Sequence, residues 1–207
     1  MKNFAKKTLA VVLLIAVMQP AVHARSAFGR AIADVVGEEM QPGSVIVPAV
    51  GNIEVAFSPD EGAQQLVIKA IDSSRQTIRM LTYSFTSGPI TQALLRAKRR
   101  GVDVAMVVDF KNNISEDRSG KAKAALGALA TAGVLVRTIN RFPIHHDKTM
   151  CIDGITVETG SFNYSDAAAH RNSEHVMVLW NNPKLTFIYL KHFDRNWQQS
   201  DAFQTGF

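Results

Sequence analysis

Residues 146–174 read HDKTMCIDGITVETGSFNYSDAAAHRNSE, and this stretch decides how the predicted fold is built. Two runs with strand character, residues 145–152 and 156–158, flank Asp153-Gly154, a dipeptide typical of tight hairpin turns. Upstream, the predicted strands alternate with helices, which favours parallel pairing. The hairpin interrupts that series, so the sequence predicts an α/β fold with a mixed, mainly parallel sheet flanked by helices.

The other elements are predicted from apolar periodicity and from glycine and proline punctuation. Strands are expected at residues 53–57, 77–85, 102–109, 134–139 and 175–180, and helices from residue 59 and over 89–100, 119–132 and 183–199. No internal repeat is visible. Residues 52–207 are expected to form one domain, preceded by a segment of uncertain structure, residues 25–51, in which residues 27–40 could form a short amphipathic helix.

The first 24 residues have the pattern of a secretory signal peptide. Three lysines in the first seven residues precede an apolar run, Thr8 to Met18, and the expected cleavage site follows Ala24. A run of about eleven residues is too short to span a membrane, which takes roughly 20. We expect cleavage, no stable membrane insertion afterwards, and a mature protein in the periplasm or outside the cell.

Composition supports a globular domain without disulfides and is only weak evidence for an anionic partner. The chain has 207 residues, is 46% apolar and carries a formal net charge of +5. Without the three lysines of the leader, 20 basic residues face 18 acidic ones, a net charge of about +2. Cys151 is the only cysteine, which excludes an intramolecular disulfide. We expect it to be buried in a strand; a reactive thiol or an intermolecular disulfide is the alternative.

Alternation along the first strand of the hairpin separates its polar residues into two sets. Side chains two residues apart in a strand share a face, so His146 and Lys148 can approach the same group. By the same parity, Asp153 points to the opposite face. We therefore expect Asp153 to support the structure, through the turn or a salt bridge.

The residue types of this stretch suit cleavage of a phosphodiester. That reaction needs partners for the phosphate oxygens, a nucleophile for phosphorus and a proton for the leaving oxygen. Lys148 supplies charge, and Asn163 and Ser161 supply donors from one loop. His146 is a competent nucleophile when neutral and a competent acid when protonated. Glu174 could accept a hydrogen bond from the far nitrogen of this imidazole and hold its tautomer.

The same residues match a family signature. His146, Lys148 and Asp153, followed by the run from Gly160 to Asn163, reproduce H-x-K-x4-D-x6-G-S-x-N, so the chain resembles the phospholipase D superfamily. Four flanking segments resemble its branch of small secreted bacterial endonucleases; they are residues 83–86, 99–104, 142–144 and 172–174. The resemblance covers about residues 52–200 and identifies residues 52–207 as a phospholipase D-like catalytic domain.

This resemblance implies a mechanism that uses two copies of the signature. One histidine attacks phosphorus and forms a phosphohistidine, and the histidine of the other copy protonates the leaving oxygen and then activates water. Lysines and asparagines of both copies hold the phosphate, and no metal or other cofactor is required. Because this chain has a single copy, the resemblance implies a homodimer with the site on its two-fold axis.

Basic residues outside the array favour a polyanionic substrate, DNA or RNA. Lys111, Arg118 and Lys121 lie in a loop and at the start of the following helix, where contact with a phosphate backbone is expected. The basic residues among 96–100 crowd a helix end, and a solvated helix face explains them equally well. No base-reading motif is apparent, so the sequence predicts a metal-independent, sequence-nonspecific endonuclease.

Two other functions stay open. A phospholipase D-type lipid phosphodiesterase or transferase would use the same array, and a nucleic-acid-binding module without catalysis is disfavoured only because the array is intact. A metal site at residues 145–147 is disfavoured because consecutive strand residues point to opposite faces. The other histidines have no ligand spacing, and only His175, beside Glu174, is a candidate to line the site.

Overall fold

The computed structural model describes residues 43–204, and residues 1–42 and 205–207 lie outside the described part. The predicted signal peptide, its cleavage site and the helix expected over residues 27–40 therefore fall outside what the structure describes. Within the described residues, no helix has the length and apolar character needed to cross a membrane.

The described chain forms one eight-stranded sheet with helices on both faces. The strands are β1 (Asn52–Ser58), β2 (Thr77–Thr82), β3 (Asp103–Asp109), β4 (Leu135–Ile139), β5 (Lys148–Ile152), β6 (Thr156–Gly160), β7 (Glu174–Trp180) and β8 (Asp201–Ala202). The helices are α1 (Ala63–Ser73), α2 (Gly88–Arg99), α3 (Lys121–Thr131), α4 (Asp166–His170) and α5 (Pro183–Gln198), with a π-helical turn at Lys111–Ser115. The strand order is β1-β7-β6-β5-β2-β3-β4-β8.

The α/β class and the mixed sheet are confirmed, but the prediction that the sheet is mainly parallel is wrong. Only β2–β3 and β3–β4 run parallel, and the other five neighbouring pairs of the described sheet are antiparallel. The β5–β6 connection is a tight turn, which permits only antiparallel pairing. A parallel pair needs a crossover connection, and α2 and α3 supply these crossovers. On one side of the sheet, the outermost strand β1 pairs antiparallel with β7.

Helices α1, α2 and α3 cover one face of the sheet, and α5 covers the other. The larger core lies under the first three helices and includes Leu94 and Met106, both fully buried. Under α5, a smaller core joins Phe193 to Leu81 and Val107. Met106 and Val107 are consecutive residues of β3, so strand alternation supplies each core from the same strand.

The hairpin predicted around Asp153-Gly154 is present, and the turn explains the dipeptide. Asp153 has φ 52° and Gly154 has φ 68°, and the Ile155 N–H donates to the Ile152 carbonyl over 3.1 Å. Two consecutive positive φ angles are those of a type I′ turn, which aspartate, asparagine and glycine adopt most readily. After the turn, Ile152 pairs with Thr156.

Three short elements depart from the sequence-based expectation: the π-helical turn, α4 and β8. Each has five residues or fewer, too short for periodicity to indicate. The π-helical turn is held by the buried Asn113, whose amide donates to the carbonyls of Tyr83 at 2.6 Å and Asp109 at 2.8 Å. The turn therefore depends on a contact with Tyr83, which directly follows β2 and lies 30 residues earlier in the chain.

Candidate active site

The array lies along one edge of the sheet, the edge at which five strands begin or end. β2 and β3 end at this edge, and β5, antiparallel to β2, begins there with Lys148 opposite Thr82. β6 runs back to the same edge and ends at Gly160, and β7 begins beside it at Glu174. The residues before β5, after β6 and at the start of β7 are therefore neighbours in space.

His146 and Lys148 lie together at this edge, as strand parity predicts, and both contact Tyr83. The ring centroids of His146 and Tyr83 are 4.8 Å apart, and Lys148 Nζ lies 5.3 Å from the Tyr83 centroid. Lys148 Nζ also donates to the His146 carbonyl over 3.0 Å. Tyr83 is the site residue that sequence reasoning misses, because only the pairing of β2 with β5 brings it here.

Burial shapes the ionisation of Lys148, a residue that is only 7% exposed. Desolvation lowers the pKa of its ammonium group, and the negative charges of Glu174 and Asp147 partly offset that effect. The Tyr83 ring adds a cation–π attraction. Lys148 is thus a largely desolvated cation at the start of β5, where an anionic ligand would interact with it more strongly than in bulk water.

The loop after β6 begins at Gly160, where a side chain would not fit. A Cβ at this position would lie 2.2 Å from the His175 carbonyl oxygen on β7. The Ser161 N–H donates to the same oxygen over 3.2 Å, and Ser161 Oγ accepts from the His175 N–H over 3.1 Å. That second bond uses an oxygen lone pair, so the hydroxyl proton of Ser161 is available to a ligand.

Asn163 follows Ser161 by two residues in the same loop. Its backbone carbonyl accepts from the Ser165 N–H over 2.7 Å. Its side-chain Oδ1 is buried and has no hydrogen-bond partner among the described residues. Buried polar atoms are normally satisfied, so the unpaired Oδ1 sets this amide apart, and its Nδ2 is the atom that can donate to an anionic ligand.

Glu174 lies at the site edge but does not make the bond predicted for it. Its Oε1 accepts from Asn172 Nδ2 over 3.1 Å, and no hydrogen bond joins it to His146 in the described structure. Its charge instead acts on Lys148, where it raises the pKa of the ammonium group against desolvation. The structure therefore does not show the predicted hydrogen bond by which Glu174 would hold the His146 tautomer. The side-chain amide of Asn172 donates to the carboxylate instead.

Asp153 lies in the turn at the other end of β5, away from this edge, and it supports the structure as expected. Its separation from the site follows from the length of β5 and not from strand parity. Its Oδ1 accepts from the N–H groups of Gln76 and Thr77, each over 2.8 Å. Its Oδ2 accepts from the Arg75 N–H over 2.8 Å. The carboxylate thus ties the β5–β6 turn to the turn that leads into β2.

On the other face of the same segment, His145 and Asp147 form a polar cluster with α5. Asp147 Oδ2 lies 3.2 Å from His145 Nε2 and 3.1 Å from His192 Nε2. Burial would raise the pKa of Asp147, but the two imidazoles outweigh it and hold the pKa well below its usual range. The His145 N–H donates to Asp109 Oδ2 over 2.9 Å. Polar contacts therefore hold both chain neighbours of His146, which are His145 and Asp147.

The predicted substrate-binding residues Lys111, Arg118 and Lys121 are exposed on the connection from β3 to α3. This connection leaves β3 at the edge that carries the array. Substrate contact by these cations stays a prediction. By contrast, the end of α2 lies at the opposite edge of the sheet, and Arg96 there pairs with Asp72 over 2.8 Å, in line with a solvated helix face.

Cys151 and the remaining histidines have ordinary structural surroundings. Cys151 is buried in β5, as predicted, and desolvation raises the pKa of its thiol to about 12. His170 pairs with Asp60 over 2.6 Å, and His175 is exposed beside the loop after β6. Among residues 43–204, no three His, Cys, Asp or Glu side chains converge as a bound metal ion would require.

A family model covers most of the described chain. The family described as cardiolipin synthase, PLD-like domain, matches residues 67–197, more than half of the protein. The chain belongs to the phospholipase D superfamily. The match includes the array and the strands β2 to β7 that carry it, so the protein is a phospholipase D-family phosphodiesterase.

Relatives and solved structures agree with the phospholipase D assignment. The chain is 34% identical to a protein named phospholipase D from Rickettsia bellii, over 68% of this chain and 67% of that protein. It is 26% identical to mitochondrial cardiolipin hydrolase of Xenopus laevis, over 77% of this chain and 74% of that protein. The chain is 43% identical to Nuc, a phospholipase D family member from Salmonella typhimurium. The two structures match with a TM-score of 0.71 over 74% of this chain and 98% of that one. NucT from Helicobacter pylori, at 21% identity and a TM-score of 0.63, shares the fold over 73% of this chain and 100% of that one.

Proposed function

We propose that this phosphodiesterase is a sequence-nonspecific endonuclease that cleaves DNA or RNA in a site shared by two copies of the chain. The proposal rests mainly on the similarity to Nuc, which extends over 98% of that protein at 43% identity. The Rickettsia bellii protein reaches 34% over 67% of its length. The exposed cations Lys111, Arg118 and Lys121, on the connection that leaves β3 at the edge carrying the array, add an electrostatic argument for a polyanion.

His146 is the proposed nucleophile. Its imidazole is exposed beside the Tyr83 ring, so one nitrogen can approach phosphorus from the solvent side. Attack forms an N–P bond, breaks the P–O bond to the leaving group and leaves a phosphohistidine. Water then breaks the N–P bond and releases the phosphate product and the free imidazole.

A second histidine supplies the proton that the leaving oxygen takes up, because attack and departure occur on opposite sides of phosphorus. The chain has one array, and we assign this proton to His146 of the partner subunit across a two-fold axis. The same imidazole then accepts a proton from the attacking water. Each turnover thereby returns both imidazoles to their starting states.

Lys148, Asn163 and Ser161 hold the phosphate in this mechanism. The desolvated ammonium group of Lys148 and the Nδ2 donor of Asn163 stabilise the negative charge that develops on the phosphate oxygens. Two of these donors are positioned before a substrate arrives: Lys148 by the His146 carbonyl, and Ser161 by β7. Such preorganisation limits the rearrangement required during the reaction.

Three substrates assayed in parallel test the reaction. Purified protein with a chelator present is given plasmid DNA, RNA and phosphatidylcholine vesicles, and His146→Ala from the same purification controls for contaminating nucleases. We expect nicking and then fragmentation of nucleic acid without sequence preference. Cleavage of lipid alone would refute the nuclease, and no cleavage of any substrate would refute an active enzyme.

Subunit mixing tests the shared site. His146→Ala is added in ninefold excess to the parent protein under conditions that exchange subunits, and co-purification of differently tagged chains verifies the exchange. Activity should fall roughly tenfold, because most parental subunits then face a partner without the imidazole. Undiminished activity, or a fully active monomer in sedimentation, would contradict the dimer.

A lipid phosphodiesterase is the second candidate, favoured by apolar surface beside the array. Phe142 and Ile144 precede His146 and are 39% and 54% exposed. Exposed apolar side chains beside a site suit contact with acyl chains. If this second function is the real one, replacing Phe142 and Ile144 by serine should abolish lipid cleavage. Plasmid cleavage by the double variant should stay intact, because the change affects contact with acyl chains and not the array.

A further inference from the structure

A fully buried carboxyl group lies on the same sheet face as Lys148, two residues further along the strands from the site edge. Glu158 of β6 is 1% exposed, and its Oε2 accepts from the Tyr164 hydroxyl over 2.7 Å. Tyr164 is also fully buried and follows Asn163 directly in the chain. Neither residue belongs to the array, and the mechanism above does not use them.

The strand neighbours of Glu158 are apolar. Glu158 pairs with Met150 on β5 and with Val178 on β7, and both are buried. Cys151, next to Met150, points to the opposite face by alternation. Burial in these surroundings raises the pKa of Glu158 to about 8, although the Tyr164 hydrogen bond acts in the other direction.

Among residues 43–204, no cation on this face is paired with Glu158. Glu54 of β1, in the same row beyond Val178, is itself an acid, and the ammonium group of Lys69 on α1 is paired with it over 2.8 Å. Lys148 lies nearer the edge, and its ammonium group is bonded to a backbone carbonyl. Within the described residues, no ion pair to Glu158 forms within 4.0 Å.

Tyr164 anchors the loop that carries Asn163. Its carbonyl accepts from the N–H groups of Thr86 and Ser87, each over 2.9 Å. Its ring packs beside Phe85 and Phe162, with centroids 6.4 Å away in both cases. The hydroxyl bond to the buried carboxyl group completes the anchor on the side that faces the core.

We propose that Glu158 and Tyr164 are positioning residues for Asn163, and that they act only while Glu158 keeps its proton. Asn163 lies between Ser161, which is bonded to β7, and Tyr164, so the hydroxyl–carboxyl bond holds one end of its loop. An ionised Glu158 would be an unpaired charge in an apolar core, and water entering to solvate it would displace Tyr164. The inference rests on the phosphate-binding role proposed for Asn163.

The first test removes the hydroxyl alone. Full-length protein is assayed on bis(p-nitrophenyl) phosphate, which makes the result independent of any nucleic-acid preference. Tyr164→Phe should lower kcat about tenfold and change KM by less than about threefold, as expected when a transition-state contact is lost. Thr186→Val is the matched control, because it removes another fully buried hydroxyl, bonded to the Asn182 carbonyl over 2.9 Å, and it should keep the parental kcat.

The second test addresses the proton. Glu158→Gln keeps the size and an acceptor oxygen but cannot ionise, and the ratio of its kcat to the parental kcat cancels the titration of shared groups. This ratio should be near one at about pH 6.5 and at least about threefold higher at pH 9. Glu158→Leu should resemble Tyr164→Phe at every pH. A ratio that is constant over this range would overturn the proposed role of the proton.

Asn163→Ala distinguishes a failure of this inference from a failure of the proposed function. If Asn163→Ala is inactive while Tyr164→Phe and Glu158→Leu keep the parental kcat, the positioning role is wrong and the phosphate-binding role stands. If Asn163→Ala keeps the parental kcat, both are wrong. Circular dichroism restricts the comparison to folded variants, and Glu158→Gln with Tyr164→Phe decides the matter if Glu158→Leu does not fold.

Discussion

Asp147 Oδ2 lies 3.1 Å from His192 Nε2, and this contact joins the segment that carries the proposed nucleophile to α5. On the other side of the imidazole, Arg195 Nη2 lies 2.6 Å from His192 Nδ1. A guanidinium group can only donate, so Nδ1 is the acceptor and Nε2 carries the hydrogen that Asp147 accepts. With Nδ1 accepting from Arg195, α5 presents the Nε2–H group of His192 to the residue next to His146.

Asp147→Asn should lower the free energy of unfolding by about 1–2 kcal/mol at pH 7, because the histidine contacts lose their charged partner. The pKa of Asp147 is lowered on folding, so its contribution is complete above the unfolded-state value of about 3.9 and is lost as the pH falls through the folded-state value. In urea unfolding, the difference in the free energy of unfolding between parent and variant should therefore become smaller below about pH 4. A difference that stays constant down to pH 2 would contradict the assignment.

Asp153→Ala should destabilise the fold without altering the chemistry. The change removes the acceptor of three backbone N–H groups and places alanine at φ 52°, which together should lower the free energy of unfolding by about 2–4 kcal/mol. Asp153→Asn tolerates the same φ and isolates the loss of charge. The kcat of folded protein should match the parental value, and a large loss would place Asp153 in the site after all.

Gly160→Ala should be strongly destabilising, by at least about 2 kcal/mol, because its Cβ would lie 2.2 Å from the His175 carbonyl oxygen. Gly127→Ala in α3 is the matched control, since nothing lies within 4 Å of its added Cβ. That change should stabilise the helix by about 0.5–1 kcal/mol. Thermal melting compares the two variants, and equal melting temperatures would refute the close approach of β6 and β7.

His146→Ala should reduce turnover by at least about 10³-fold, the effect expected when a nucleophile is lost. The free energy of unfolding should change by no more than about 0.5 kcal/mol, because the exposed ring makes its recorded aromatic contact with Tyr83 alone among described residues. His170→Ala, which alters another exposed histidine, should keep the parental kcat. Rapid acid-free quenching should trap phosphohistidine in the parent, and substantial turnover by His146→Ala would exclude this nucleophile.

The sequence by itself determined the features that depend on neighbouring residues. Alternation placed His146 and Lys148 together, because side-chain direction in a strand has a period of two. Asp153 is kept from the site by its position in the turn at the far end of β5. The hairpin at Asp153-Gly154 was equally predictable, since two positive φ angles restrict the residues that can form the turn. The spacing of the array indicated the family and its phosphodiester chemistry, which residue types at fixed intervals identify without coordinates.

Only the tertiary structure decided which strands are neighbours, and with them the surroundings of the array. The pairing of β2 with β5 brings Tyr83 to His146, and the path of the loop after β6 brings Tyr164 to the buried Glu158. Antiparallel pairing prevails because β1, β5, β6 and β7 join one side of a short parallel series. The choice of strand partners depends on burying both faces of the whole sheet, and a local two-residue pattern specifies the face of each side chain but not the neighbouring strand.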